Sequence, residues 1–439
     1  MRNFWTDCVL ATVLVFLVMW GILGITKLNI FNAFDSIGQA LSDIELTDYV
    51  FSKLRKDPDV DQNIVVVNIG DLTRGEIAEE IKIISQHKPK VIGIDTFFGC
   101  PTALRDTVNC PKLRDVMGNL LLSNAIQEAG NVVLVTKVLQ ADTLLSPDQY
   151  DSLRNSDPIF SDFALREGYA NLDTDADFQD DAKTCRVFNP KIEVDGKANY
   201  AFAVEMAMEY DSVKTKRFLE RNNYEEVINY RGNVFDIYGS TGYPNVFYTL
   251  DVDDVRTGNF MPDMLKDRIV IFGFLGSFLG DPSWDDKFYT SLNNKPAGRA
   301  NPDMFGAVVH ANIVSMILTE DYVNQMADWQ EVAMAIILCL LNVALFSFIN
   351  SHLPLWYDGI TKLLQLIQLI LYTVLMVMIF HWFSFKLNVT LTLAAVALVG
   401  DVYEIYMSVI KNIYLKIKGW FSITPKNNPV LTPVETEES

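Results

Sequence analysis

Apolar residues along this chain follow two different patterns. Uninterrupted apolar runs occupy residues 8 to 26, 332 to 349 and 363 to 383, and a fourth from 387 to 410 is broken only by Asp401 and Glu404. Each is long enough to cross the hydrocarbon core of a bilayer as a helix, which takes about 20 residues. Between the first and second runs, short β-branched segments alternate with helical periodicity. Ile64 to Gly70 (IVVVNIG), Val91 to Asp95 (VIGID), Val132 to Val135 (VVLV) and Ile269 to Gly273 (IVIFG) read as strands covered on both faces, because their apolar positions run on consecutively. After the first, Thr73 and Glu76 form a capping box, and Ile77, Ile81 and Ile84 follow at helical spacing up to His87. Residues 113 to 128 read as a second amphipathic helix before Gly130. Strand, helix, strand, helix, strand in close succession predicts a parallel sheet with right-handed crossovers. Farther on, Tyr200 to Met208, Val213 to Arg221 and Gly306 to Leu318 read as helices, and Val227 to Gly232 as a strand.

The expected fold class is thus an α/β extracytoplasmic domain with a mainly parallel sheet, plus four transmembrane α-helices, one N-terminal and three C-terminal. The expected division is an anchor at 1–26, the α/β domain at 27–328, a three-helix region at 329–412 and a short tail at 413–439. Thr424 to Ser439, with its prolines and final acidic run, reads as disordered.

Composition and charge sharpen this picture. Half of the 439 residues are hydrophobic, yet 21% are charged and the mean hydropathy is only +0.16, which fits a mixture of a globular domain and membrane segments. Of the net charge of -19, residues 27 to 328 carry 47 acids against 29 bases, which excludes a nucleic-acid partner for that domain. Near the apolar runs, Arg2, Lys362, Lys411, Lys416, Lys418 and Lys426 fall on one side and only Lys27 and Lys386 on the other. Cytoplasmic flanks are the ones enriched in Lys and Arg, so the large domain is expected outside the cytoplasm. A cleaved signal peptide is the competing reading of the first run. Its length of 19 and the absence of an A-x-A site in Ile25 to Phe34 favour a retained anchor.

Of five cysteines, Cys8 and Cys339 lie in apolar runs, leaving Cys100, Cys110 and Cys185 in the globular region. Cys100 and Cys110, in CPTALRDTVNCP, are candidates for a short-loop disulfide, worth roughly 2 to 3 kcal/mol. Three free thiols in a reducing compartment are the alternative. No C-x-x-C occurs.

In open α/β sheets, ligands bind beyond the carboxyl ends of the strands. Those ends nominate Asp71, Asp95, Lys137 and the loop Gly273 to Asp281, with Gly276 and Asp281, as a ligand-binding set able to hold a small polar molecule. The structural alternative is that Asp71 and Asp95 only cap helices or close loops. The glycine loop lacks the Gly-Lys-Ser/Thr ending of a P-loop. The acidic run Asp173, Asp175, Asp177, Asp180 and Asp181 departs from a calcium loop, with Phe178 in place of glycine and Thr184 in place of glutamate. His87 and His310 are the only histidines outside the apolar runs and their flanks, and His310 lies in an apolar helix where a packed histidine is expected. No G-x-S-x-G or H-E-x-x-H occurs, so neither catalysis, a metal nor a cofactor is expected. Inside the apolar runs, Asp401 and Glu404 share one helix face, and Asn342, Gln365 and Gln368 are expected to reach them at comparable depth, with Lys411 on the Glu404 face.

The N-terminal anchor, PKVIGIDTFF, GNVVLV, EGYANLDTDADF followed by Arg186, LKDRIVIFGFLGSFLGD, GAVVHAN and three closely spaced apolar runs together resemble the second class of CHASE extracellular sensory domains. The resemblance covers about residues 30 to 410. It implies a periplasmic input module in a bacterial inner membrane, joined through three spans to a cytoplasmic cyclase or kinase. Asp175 to Phe178 lacks the glycine expected in a D-x-D-G turn, and only about 27 residues follow the last apolar run. The expected function is therefore a sensory or regulatory subunit, not an enzyme, that acts through a separate membrane or envelope protein. A structural docking subunit is the alternative, a small transporter a third reading, and a homo-oligomer is compatible with either of the first two.

Overall fold

The structure, a computed structural model, describes residues 2–26, 46–55, 58–100, 110–139, 150, 152–172, 184–234, 245–293, 301–413 and 416. The acidic run from Asp173 to Asp181 and the tail beyond 416 lie outside them. The chain divides into two compact units, one drawn from Met1–Ala33, Gln325–Met378 and Leu387–Ser439, the other from Phe34–Asn324 with Ile379–Lys386.

The second unit is built on a sheet of eight strands. In chain order we label β1 (Ile64–Asn68), α1 (Arg74–Ser85), β2 (Val91–Ile94), α2 (Val116–Ala129), β3 (Val132–Leu139), β4 (Ser152–Arg154), β5 (Arg166–Tyr169), β6 (Lys191–Val194), β7 (Lys197–Tyr200), α3 (Phe202–Tyr210), α4 (Ser212–Leu219), β8 (Asn233–Val234), β9 (Asn245–Leu250), α5 (Val252–Thr257), β10 (Ile269–Gly273) and α6 (Gly306–Thr319). The sheet order is β8-β9-β1-β10-β2-β3, with β4 and β5 both on β3. Every pairing is parallel except β3 with β4. Strands β6 and β7 form a separate antiparallel hairpin.

Burial on both faces explains the continuous apolar strands. Val65, Val67, Ile92, Ile94, Val132, Leu134, Val270 and Phe272 point into one layer, where Ile77, Ile81 and Ile84 of α1, Leu122 and Ile126 of α2 and Val255 of α5 cover them. Alternate strand residues face α3 and α6 on the other side. That second layer sits close. A Cβ on Gly93 would lie 2.2 Å from the Met206 sulfur of α3, and one on Gly273 would lie 2.3 Å from the Ala307 Cβ of α6. The Thr73–Glu76 capping box of α1 is formed.

Several boundaries differ from the sequence reading. The helix expected at 113–128 starts at Val116, because Pro111–Arg114 winds as a 3₁₀ turn and Asp115 supplies the N-cap. The strand expected over Val227 to Gly232 is confined to Glu226–Val227, because the next backbone groups bond elsewhere: Ile228 N–H donates to the Arg186 carbonyl and Arg231 N–H to the Asn312 side chain. Cys100 and Cys110 are bridged with their Cα atoms 5.2 Å apart, and Cys185 is a buried thiol outside that bridge.

Four helices are long and apolar enough to cross a membrane, with spans Phe4–Ile22, Asp328–His352, Pro354–Phe383 and Thr390–Ile413, and all but the end of the third, from Ile379, belong to the first unit. Cys8, Ala11, Val15 and Met19 form a buried stripe on the first, against Cys339, Val343, Phe346 and Ile349 of the second and Ala395, Val399, Val402 and Tyr403 of the fourth. The third carries exposed Leu363, Leu366, Ile367, Ile370 and Leu371, as suits an apolar solvent.

The expected pairing of polar residues in this bundle is corrected. Asp401 and Glu404 are exposed, because Val399, Val402, Tyr403 and Tyr406 fill the interior positions of their helix. Asp401 is paired with Lys362 of the third helix, not with Asn342, Gln365 or Gln368. Gln365 instead donates to the Val396 and Ala397 carbonyls at 2.9 and 3.0 Å, beside Gly400, which leaves it room. Asn342 donates to the Leu338 carbonyl of its own helix, and the Gln368 carbonyl oxygen is buried without a hydrogen bond among the described residues. Lys411 reaches Asp7 of the first helix at 2.7 Å rather than Glu404, and the Tyr406 hydroxyl donates to the same carboxylate at 2.9 Å.

One buried carboxyl yields a stability test. Glu80 of α1 is fully buried, and neither of its oxygens has a hydrogen-bond partner among the described residues. Burial pushes it up to about 8, opposed by Arg256 and reinforced by Asp251 and Glu76. The folded chain therefore keeps a proton that the unfolded chain releases near 4.5, so stability falls as pH rises from about 4.5 to about 8 and stays lower above it. At about 1.4 kcal/mol per pKa unit, the loss is on the order of a few kcal/mol. Glu80→Gln removes this dependence. Thermal unfolding between pH 5 and 9 is expected to show the variant gaining on the parent as pH rises; parallel profiles would refute the assignment.

Candidate functional site

The carboxyl edge of the sheet holds two neighbouring groups of polar side chains. At the end of β1, Asn68 is fully buried, and its amide donates to Asp251 at 2.8 Å and to the Gly276 carbonyl at 3.1 Å. Its side-chain oxygen accepts from the Gly70 and Leu275 amides at 3.0 and 2.9 Å. Asn68 thereby ties the end of β1 to the loop after β10. The loop turns at Gly276, whose φ of +96° lies where a side chain is strained, and a Cβ there would also strike Asp281. Asp281 accepts from the Ser277 and Ser283 amides, both at 2.8 Å, and these two bonds hold its carboxyl below the ordinary range. Asp71 accepts from the Ser277 hydroxyl at 2.8 Å. Asp71, Gly276 and Asp281 thus belong to one hydrogen-bonded loop assembly.

The second group lies at the ends of β2 and β3. Asp95 follows β2 directly, and its carboxyl has no hydrogen-bond partner among the described residues. It is half-buried. Loss of hydration pushes it up to about 7, against the pull of Lys137. Lys137 projects from β3 with its ammonium 5.7 Å from the centre of the Phe97 ring. The third member is Asp286, from the segment between β10 and α6. Its backbone carbonyl accepts from the Gly306 amide at 3.1 Å, and its carboxyl oxygens lie 3.4 and 3.7 Å from where a Gly306 Cβ would stand, over the first turn of α6. Although the residue presents surface to solvent, this crowding raises its pKa, the charge of Asp95 adds to the rise, and Lys137 opposes it.

Of the five ligand residues nominated by sequence, Asp95 and Lys137 are electrostatic neighbours, whereas Asp71, Gly276 and Asp281 organise the adjoining loop. Asp286 and Asn68 escaped the sequence reading. Asn68 carried a signal, as the one polar residue inside IVVVNIG, but Asp286 sits in an irregular acidic turn and only the tertiary fold brings it to β2. Among the described residues no group of three His, Cys, Asp or Glu side chains is placed to hold a metal. His310 is buried edge-on to Phe202, and loss of hydration lowers it to about 4, so it is a neutral packing residue as its apolar helix implied.

Architecture and site together define a mixed α/β module, mostly parallel, with clustered polar side chains at its carboxyl edge, in a chain that also carries four long apolar helices. The family model of the CHASE2 domain matches residues 12–346, and the chain belongs to that family of sensory domains. Comparison with curated proteins and with solved structures gave no match.

The cluster of Asp95, Lys137 and Asp286 can be tested through its charges. Lys137→Met removes the cation that opposes protonation of Asp95, so the Asp95 midpoint is expected to rise further above 7. A carboxyl-region infrared or carbon NMR titration checks this; an unmoved midpoint would separate Lys137 from the carboxyl.

Proposed function

We propose that this chain is a membrane-embedded sensory subunit whose α/β unit lies outside the cytoplasm, binds a small polar ligand between Asp95, Lys137 and Asp286, and passes the change to a separate protein. The observation that carries the reading is Asp95 itself: a partly desolvated carboxyl without a hydrogen bond among the described residues, beside a cation, at the edge of a parallel sheet where ligands bind. Such a carboxyl gains most from a ligand that supplies the missing donor. Membership of a sensory family supports the same assignment.

The bilayer placement rests on the four apolar helices and on the six-to-two distribution of Lys and Arg around them. Asp401, Glu404 and Lys362, exposed on the third and fourth helices, offer polar contacts to a partner within or beside the membrane. No catalytic step is assigned to the chain.

Thermal denaturation of the detergent-solubilised chain against a panel of amino acids, amines and organic acids tests the ligand reading. At least one class is expected to raise the midpoint, and Asp95→Asn is expected to abolish that rise while leaving the ligand-free midpoint unchanged or higher. Indifference to the whole panel, together with a partner complex that survives without any additive, would favour the docking subunit instead. For topology, a reporter fused after Ser439 is expected to be active only when cytoplasmic activity is what it reports; activity restricted to the other side would overturn the placement.

A further inference from the structure

Within the unit of apolar helices, a partly open cavity of about 510 Å³ lies between the first, second and fourth helices, at the end where the first finishes and the other two begin. Its lining is graded. Glu331, in the first turn of the second helix, and Asn388 and Thr390, at the start of the fourth, form a polar end, and Met19, Ala394 and Leu398 line the apolar part. Leu398 stands eight residues beyond Thr390, which is about 12 Å along a helix. One leaflet contributes about 15 Å of hydrocarbon, half of a bilayer core of about 30 Å, so the groove has the depth of most of one leaflet.

Charge and depth select the occupant. Trp20 of the first helix and Trp329 of the second, 76% and 70% exposed, stand at this same end, and exposed Trp marks the level of the lipid headgroups. Glu331 follows Trp329 by two residues and therefore sits near that level. One of its carboxylate oxygens accepts from the Leu391 N–H at 3.1 Å, tying the second helix to the fourth. The other has no hydrogen-bond or ion-pair partner among the described residues, and none of those lining the groove is Lys or Arg. A carboxylate at the mouth of an apolar groove without a counter-charge is costly, and a bound cation removes that cost. The bilayer supplies molecules that join an apolar chain of leaflet length to a cationic group. A primary ammonium both neutralises the carboxylate and donates hydrogen bonds to it, a quaternary ammonium has no hydrogen to donate, and an anionic headgroup is repelled.

We propose that this groove binds one aminophospholipid, with an acyl chain along Ala394 and Leu398 and the primary ammonium of its headgroup on Glu331. The site rests on the bilayer placement proposed above and is independent of the polar cluster at the carboxyl edge of the α/β unit.

Two measurements on the full chain separate the site from the placement. In alkaline carbonate the chain is expected to stay in the membrane pellet; release into the supernatant would overturn the placement and the site together. Native mass spectrometry of the detergent-solubilised chain, titrated with phosphatidylethanolamine, phosphatidylcholine and phosphatidylglycerol of equal acyl length, is expected to show one phosphatidylethanolamine held several-fold more strongly than either of the others. Glu331→Gln keeps an acceptor for the Leu391 N–H and is expected to equalise the three lipids. Ala394→Phe fills the groove and is expected to abolish the retained lipid, whereas Leu366→Phe, at an exposed position of the third helix, is expected to leave it in place. Should Ala394→Phe fail to fold, Glu331→Gln decides alone. For a chain that resists carbonate, the site is overturned if the parent holds no lipid, holds the three equally or prefers phosphatidylglycerol, if Glu331→Gln or folded Ala394→Phe keeps the parent's preference, or if Leu366→Phe abolishes it.

Discussion

The α/β unit depends on the close approach of α6 to the central strand β10. That strand is hydrogen-bonded on both sides, to β1 and β2, and its last residue, Gly273, offers only a backbone surface to Ala307. Because nothing larger than hydrogen stands there, the first turn of α6 lies against the sheet edge. From that one contact follow the position of Asp286 over the turn and its electrostatic contact with Asp95. A side chain at position 273 would force strand and helix apart, and the polar cluster beside them would lose its arrangement before any polar residue changed.

The same geometry explains which parts of the fold could be read from sequence. Strands covered on both faces are short, consecutive and β-branched, so β1, β2 and β10 stood out. The helix after β1 announced itself by Thr73 and Glu76. By contrast β9, whose Asn245, Tyr248 and Thr249 interrupt its apolar residues, and β5, with Arg166 and Glu167, carry polar side chains near the sheet margin and left no continuous run to see. The hairpin of β6 and β7 turns at Asp195 and Gly196, both with positive φ, and that turn went unremarked.

For the site, strand ends were legible and contacts were not. Position alone nominated Asp71 and Asp95 equally, since each follows an apolar strand. What separates them is a neighbour distant in sequence: Ser277 bonds to Asp71, whereas Asp95 finds only the field of Lys137 and Asp286. In the bundle the limit was of another kind. Helical periodicity correctly put Asp401 and Glu404 on one face but could not say which way that face turned, and the bulky interior positions Tyr403 and Tyr406 decided it.

The stripe of Cys8, Ala11, Val15 and Met19 has a consequence for how the protein is made. Its partners, Cys339 to Ile349 and Ala395 to Tyr406, are synthesised more than 300 residues later. At translation rates of about 5 to 20 residues per second, the first helix exists for on the order of tens of seconds before any surface that covers its stripe emerges. The small, weakly polar character of that stripe lets the helix wait alone without a costly unpaired group along its middle. Asp7, the one acid it carries, sits at the end that Lys411 reaches, so the ion pair between them closes the bundle only after the fourth helix has been made.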